Sequence, residues 1–273
     1  MRSSKCKVTT ILVVSDNPAI QNVENTHRKL RAKPSSTGTD DPVVRRWLTS
    51  VLPKVFGASG NQGGSVVRTV LADPTLSKEF RIRAITRDES KASIKDFKEK
   101  GAEIVKVGNA TVEGAHQLLK KTLALQADMS SAEAAAPAVQ GAHTVFLMTN
   151  FWETMSADTE IAQGKAVTDA CKSAGVKHLI FSSLINTTKA SNGKLPNIAH
   201  FDGKAEIEEY IRKSEVPATF VLPGMFMNAY FQTIRKGEDG VYTLALPVSE
   251  NKAKLPLFDA AGDTGSYSIH QDL

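Results

Sequence analysis

Short apolar runs rich in β-branched residues alternate with amphipathic stretches along most of this chain. The runs fall at residues 51–56, 80–86, 102–107, 144–149, 178–182 and 219–222. Between them, helical patterns occupy 62–72, 91–100, 132–140, 154–173 and 201–214. Strands and helices alternating at this spacing predict βαβ units, and so a parallel sheet with helices on both faces. Runs such as HTVFLMT and HLIFSS lack the polar alternation of a half-exposed strand, which fits central strands buried on both sides. The expected fold class is therefore α/β, a doubly wound parallel sheet.

Two stretches break this rhythm. Residues 1–50 carry one apolar run, at 8–14, and a turn-rich polar segment, KPSSTGTDDP, that reads as a linker. They are expected to form a disordered or misassigned extension outside the packed domain. Basic residues before the apolar run faintly resemble a signal peptide, but no small-residue cleavage site follows. The acid-free first fifteen residues also admit a mitochondrial targeting segment. The second break lies at 107–126, between the third strand and Asp128, where a βα loop usually takes only about 2–6 residues. It reads either as a surface insertion with a helix over 115–125 or as a retained short intron. The packed domain is expected to span 51–222.

Composition narrows the function classes. The net charge of +5 sits wholly in residues 1–50, which hold nine Lys/Arg against four acids, so the rest of the chain is neutral. A nucleic-acid-binding stripe is not expected there. No apolar stretch approaches the roughly 18–20 residues of a membrane span. Two cysteines, Cys6 and Cys171, are too few for a disulfide framework or a thiolate zinc site, and the scattered histidines show no ligand spacing. No metal site is expected, and the cytoplasm is the expected compartment, with the nucleus as an alternative.

The strongest chemical signal is VFGASGNQGGSVVRTVL. Gly57, Gly60 and Gly63 follow an apolar strand and open a helix. The first glycine permits a tight turn, the second lets backbone approach a pyrophosphate, and the third allows close helix–strand packing. The helix start then offers free N–H groups and a positive dipole end to phosphates. Ser59, Asn61 and Gln62 share that turn. The second strand ends at Arg87, where an NAD site tends to hold an acid for the ribose 2′-hydroxyl. An arginine there suits a 2′-phosphate instead. With Thr86, Ser90 and Lys91 it can form a phosphate pocket, so NADP is favoured, with NAD as the alternative. A solvated basic loop is the plainer reading of the same residues. Asp128 follows the third strand and can meet an adenine edge. Thr149 and Asn150 end the fourth strand, where ligands of such sheets bind, although Asn150 and Thr154 also suit helix N-caps.

A reductase of this kind needs a proton donor and a lysine that lowers the donor's pKa. The usual arrangement is Tyr-x-x-x-Lys on a helix with a serine after the preceding strand. The matching stretch is His200-Phe-Asp-Gly-Lys204, with Ser182 and Ser183 ending the fifth strand. His200 stands where the tyrosine is expected and equally suits a helix entry. The catalytic candidates are Lys204, His200 and Ser183. The chain has no GxSxG elbow, so a serine hydrolase is not supported.

Taken together, GASGNQGGSV, TRDESK, TNFWE, QGK, HFDGKAEIEEYI and LPGMFMNAY resemble the NmrA-like family of atypical short-chain dehydrogenase relatives. The resemblance covers about residues 51–265, apart from the insertion. It implies a Rossmann-type domain that binds NADP, in some members also NAD, and senses the ratio of its forms. It also implies a regulator that binds another protein, such as a transcription factor, rather than nucleic acid directly. Members generally lack the dehydrogenase tyrosine. Carried over by position, cofactor contacts fall on Gly57 to Gly63, Arg87, Asp128, Thr149, Asn150, Phe151 and Lys204, with Phe226 and Asn228 toward the nicotinamide end. Some relatives hold a lysine where this chain has Ala162. The family continues beyond the last residue here, so 223–273 is expected to be part of a smaller, truncated substrate or partner lobe. The alternative function is an NAD(P)H-dependent oxidoreductase or isomerase acting on a small metabolite.

Overall fold

The computed structural model describes residues 12–15, 53–106, 129–244 and 255–269. The 107–126 insertion, Asp128 and most of residues 1–50 lie outside the described residues. In chain order the first elements are β1 (Leu12–Ser15), β2 (Lys54–Val55), α1 (Asn61–Ala72), α2 (Leu76–Glu79), β3 (Arg83–Thr86), α3 (Ala92–Glu99) and β4 (Glu103–Lys106). Next come α4 (Ala132–Val139), β5 (Thr144–Leu147), α5 (Phe151–Thr154), α6 (Ala157–Ser173), β6 (His178–Ser182), α7 (Thr187–Ala190), α8 (Ala199–Lys213) and β7 (Ala218–Leu222). The chain then passes through β8 (Met225–Phe226), α9 (Met227–Thr233), β9 (Arg235–Lys236), β10 (Tyr242–Thr243), β11 (Leu257–Phe258) and α10 (Thr264–Ile269).

The main sheet runs β4-β3-β2-β5-β6-β7 with every one of these pairs parallel. The order reverses between β2 and β5, and crevices at such a reversal are where open α/β sheets bind ligands. The apolar runs split by residue parity, as the pleat requires. Val145, Leu147, Leu179, Phe181 and Phe220 face one core with α4, α6 and α8. Phe146, Ile180 and Val221 face the other, with α1 and α3. Strands β5, β6 and β7 thus bury both faces, which is why their runs read as continuously apolar. One close approach holds two of the helices together. A Cβ on Gly164 would lie 2.6 Å from Ile207 Cγ2, so α6 and α8 touch there almost backbone to side chain.

Several expectations shift. Leu12–Ser15 pairs antiparallel with β7 at the sheet edge, so these four residues join the sheet although residues 1–50 read as an extension outside it. Their partner lies some two hundred residues away, and local pattern carries no such pairing. The strand expected over 80–86 starts only at Arg83; the short helix α2, opened where Asp73 Oδ1 accepts from the N–H groups of Thr75 and Leu76, ends at Glu79. The helix expected over 154–173 is two. Met155 adopts φ 55° after α5, and Ser156 Oγ then accepts from Thr159 N at 3.2 Å to cap α6. Finally, α10, in the stretch assigned to a smaller lobe, packs on α1. Gly265 N donates to Ser65 Oγ at 2.9 Å, and a Cβ there would collide with Thr69.

Candidate functional site

The β2–α1 turn is built from glycine for stated reasons. Gly57 has φ +67°, a left-handed conformation that L side chains rarely adopt, and a Cβ on it would lie 2.8 Å from Met148 Sδ. Gly60 N donates to Gly57 O at 2.9 Å and closes the turn. Gly60 is also the N-cap of α1, with extended backbone and no side-chain capping bond, so no side chain occupies the start of the helix. A Cβ on Gly63 would lie 2.5 Å from Gly57 O and 2.7 Å from Phe56 O, which seats the helix directly on the strand end. The uncapped helix start carries the positive end of the helix dipole.

A cavity of about 440 Å³ opens over this turn. Gly57, Ser59, Gly60, Asn61 and Gln62 line its floor. Gln62 is fixed from behind, since Ser182 Oγ donates to its Oε1 at 2.6 Å and so links α1 to the end of β6. Asn150 and Phe226 also line the cavity, on the β5 side and from the 223–244 stretch. Sequence reading did not single out Met129, Met148, Glu153 or Gln163, which complete much of the wall. Of these, Glu153 and Gln163 belong to the TNFWE and QGK motifs, whereas the two methionines gave no sequence signal beyond apolarity.

One end of the cavity is charged. Thr86, Arg87 and Lys91 line it, as the phosphate-pocket reading expects, while Ser90 does not. Ser90 instead donates from N and Oγ to Asp88 Oδ1, at 2.9 and 2.6 Å. These bonds hold the Asp88 carboxyl below its usual pKa and keep that acid out of the cavity wall. Arg87 reaches across the cavity to Glu153, and its Nη1 donates to Glu153 Oε1. Among the described residues, Glu153 is the one carboxylate that lines the cavity.

The opposite flank is closed on itself. Lys204 Nζ donates to Thr149 O at 2.9 Å, to Thr149 Oγ1 at 2.8 Å and to Glu160 Oε1 at 2.7 Å. Thr149 Oγ1 in turn donates to the same carboxylate oxygen at 2.7 Å. The side chains are buried, with Glu160 1% and Lys204 13% exposed. Burial lowers the lysine pKa, and the adjacent Glu160 charge opposes that shift. Neither Lys204 nor Thr149 is part of the cavity wall. His200 lies among Phe151, Trp152 and Phe201, at ring centroid distances of 5.6, 4.9 and 4.9 Å. Burial among these rings lowers its pKa, with Glu160 opposing and Lys204 adding to the shift. Ser183 Oγ turns to the neighbouring Leu184 carbonyl at 3.4 Å, and Asn228 is exposed on α9.

The strand order, with a glycine turn at its reversal point, defines a Rossmann-type α/β protein. Residues 52–271 match the model of the NmrA-like family, and the chain belongs to that family. The NmrA-like family domain-containing oxidoreductase malD of Malbranchea aurantiaca is 30% identical over 229 residues, covering 78% of this chain and 61% of the relative. FrzB of Cladobotryum, also described as an NmrA-like oxidoreductase, is 35% identical over 163 residues, 58% of this chain and 41% of its own. This chain therefore spans between two fifths and two thirds of such relatives. Among solved structures, NmrA, a negative transcriptional regulator, in complex with NADP superposes with a TM-score of 0.60 at 22% identity, over 79% of this chain and 59% of that one. The NmrA complex with NAD gives 0.58 over the same shares, also at 22% identity. Among the described residues, no helix is long and apolar enough to cross a membrane, and no group of three or more His, Cys, Asp or Glu is placed to hold a metal.

Proposed function

We propose that this chain binds NADP(H) at the β2–α1 cavity and acts as a redox-sensing regulatory protein rather than as a dehydrogenase. The cradle fits a dinucleotide. At Gly57 and Gly63 a Cβ would collide with neighbouring atoms, and the uncapped start of α1 faces the cavity floor with amide donors for a pyrophosphate. Arg87 and Lys91 place two cations where a ribose 2′-phosphate would lie, so NADP is the preferred form and NAD the second ligand. When bound, the nicotinamide ring supplies a transferable hydride. This chain's own residues bind and orient it. The NADP-bound and NAD-bound forms of the transcriptional regulator NmrA, which share the fold, support the same assignment.

The observation that carries the non-catalytic reading is the Lys204 cluster. All three ammonium protons of Lys204 are committed, to Thr149 O, Thr149 Oγ1 and Glu160 Oε1. The residue at the tyrosine position, His200, is packed against aromatic rings, and burial lowers its pKa. Neither Lys204 nor His200 lines the cavity, so neither is placed to relay a proton to a substrate oxygen there. The output is then a protein partner, such as a transcription factor, that reads the loaded state of the domain, in the cytoplasm or nucleus. The test is direct. NADP should bind at micromolar to millimolar concentration while NADPH is not consumed with quinones or carbonyl compounds. Steady NADPH oxidation by the wild-type chain, abolished in Lys204→Ala, would overturn the non-catalytic half of the proposal.

A second reading is an NAD(P)H-dependent oxidoreductase or isomerase acting on a small metabolite, with Lys204, His200 and Ser183 as its candidate groups. It is favoured by the printed descriptions of malD and FrzB as oxidoreductases. The same NADPH-oxidation assay separates the two.

A further inference from the structure

Glu153 has no place in the dinucleotide-binding chemistry described so far, yet among the described residues it is the sole carboxylate on the cavity wall. It sits on α5, just beyond the end of β5, and pairs with Arg87 just beyond the end of β3. The pair therefore bridges the two sides of the cavity at the end where the 2′-phosphate of NADP would lie. Both partners touch solvent, with Arg87 50% and Glu153 35% exposed, so exchange needs no core rearrangement. Just after Arg87, Asp88 is turned into its own loop by two bonds from Ser90, and neither Asp88 nor Glu89 lines the cavity. Among the described lining residues, one carboxylate thus stands with two cations, Arg87 and Lys91.

We propose that Glu153 is a specificity-determining residue: a built-in competitor that holds Arg87 until a ribose 2′-phosphate displaces it. The inference rests on the NADP reading above. A carboxylate and a phosphate compete for one guanidinium fork, and both form charge-assisted bonds with it. NAD carries no 2′-phosphate, leaves the pair intact and meets no competition. NADP must break the pair and also accept a like charge nearby. Glu153 therefore narrows the preference for NADP over NAD that Arg87 creates, keeping both dinucleotides within range of one site. Specificity of this kind comes from a repulsive element as much as from the attractive one.

The experiment is a double-mutant cycle on the full chain, read as the dissociation constants of NADP and NAD for wild type, Glu153→Gln, Arg87→Ala and the double variant. Glu153→Gln should tighten NADP about two- to fivefold, as expected of one partly exposed ion pair, and leave NAD within about twofold. In the Arg87→Ala background the same change should lose most of its effect on NADP. Rising salt should shrink the difference between Glu153→Gln and wild type. Thermal unfolding of each variant confirms that it is folded. The proposal is overturned if Glu153→Gln leaves the NADP-to-NAD ratio unchanged or lowers it, or if its effect persists in full without Arg87. If the wild-type chain binds neither nucleotide, the dinucleotide reading falls and this inference falls with it. That failure is distinct from one in which both bind and Glu153 proves indifferent.

Discussion

Around the β2–α1 turn the chain removes side chains, and around the β5–α6 junction it packs charge against charge. At the first, Gly57 and Gly63 leave no room for a Cβ and Gly60 offers no cap, so backbone amides face a cavity. At the second, Lys204, Thr149 and Glu160 Oε1 bond one another behind the cavity wall, while Glu160 Oε2 is buried without a hydrogen-bond partner. The first region is open because its polar groups are backbone donors that await a ligand. The second is closed because its side chains, Glu160 Oε2 apart, are bonded to one another and buried. A dehydrogenase needs a proton donor and a ready lysine beside its hydride acceptor. This molecule keeps the cradle and commits the lysine elsewhere, and that contrast supports reading the domain as a sensor.

The largest effect is expected in the closed region. Removing one partner of a buried ion pair leaves an uncompensated charge, so Glu160→Leu should cost about 3–5 kcal/mol in chemical denaturation. Lys204→Met combined with Glu160→Leu should recover most of that loss. If the single variant costs less than about 1 kcal/mol, the pair is not the buried cluster described here. A smaller but sharper effect belongs to the open region. Gly63→Ala presses a methyl onto Gly57 O and should cost about 1–3 kcal/mol by overpacking. It should also abolish dinucleotide binding, because the helix start moves off the strand. Retained binding in that variant would break the comparison, since the cradle would then tolerate a side chain.

The smallest effect is on pH dependence. Burial holds the His200 pKa below the ordinary imidazole value of 6.5, and His143 is lowered in the same way. A histidine with a depressed folded pKa binds protons more readily when unfolded. Stability should therefore be full above about 6.5 and fall as the pH drops below it toward the folded value. His200→Phe should flatten part of that acid limb, and denaturation midpoints between pH 5 and 8 would show it. A limb of unchanged slope in His200→Phe would place the ring in water rather than among Phe151, Trp152 and Phe201.

Much of this architecture was legible in the sequence because the signals were local and repeated. Parity within HTVFLMT and HLIFSS already encodes two buried faces, and the glycine spacing of GASGNQGG encodes a turn that only backbone can line. The edge strand Leu12–Ser15 was not legible, since its pairing with β7 crosses almost the whole domain. The short helix α2 was missed because it opens on a single side chain, Asp73, that accepts from the N–H groups of Thr75 and Leu76. Glu160 was missed for a different reason. An acid in the first turn of a helix ordinarily reads as a solvated partner of the helix dipole. Only tertiary packing brings Lys204, from a helix some forty residues later, against it. Glu153 likewise reads as a helix-start acid until the fold brings Arg87 opposite.

On the proposed reading, the open region selects a phosphorylated dinucleotide through Arg87. Calorimetric titration of wild type and Arg87→Ala with NADP and with NAD tests it most directly. The expected result is binding of both by the wild type. In Arg87→Ala, NADP should lose about 10- to 100-fold, as expected for one charge-assisted contact, with NAD changed by less than about twofold. Equal losses for the two nucleotides, or no binding of either to the wild-type chain, would contradict it.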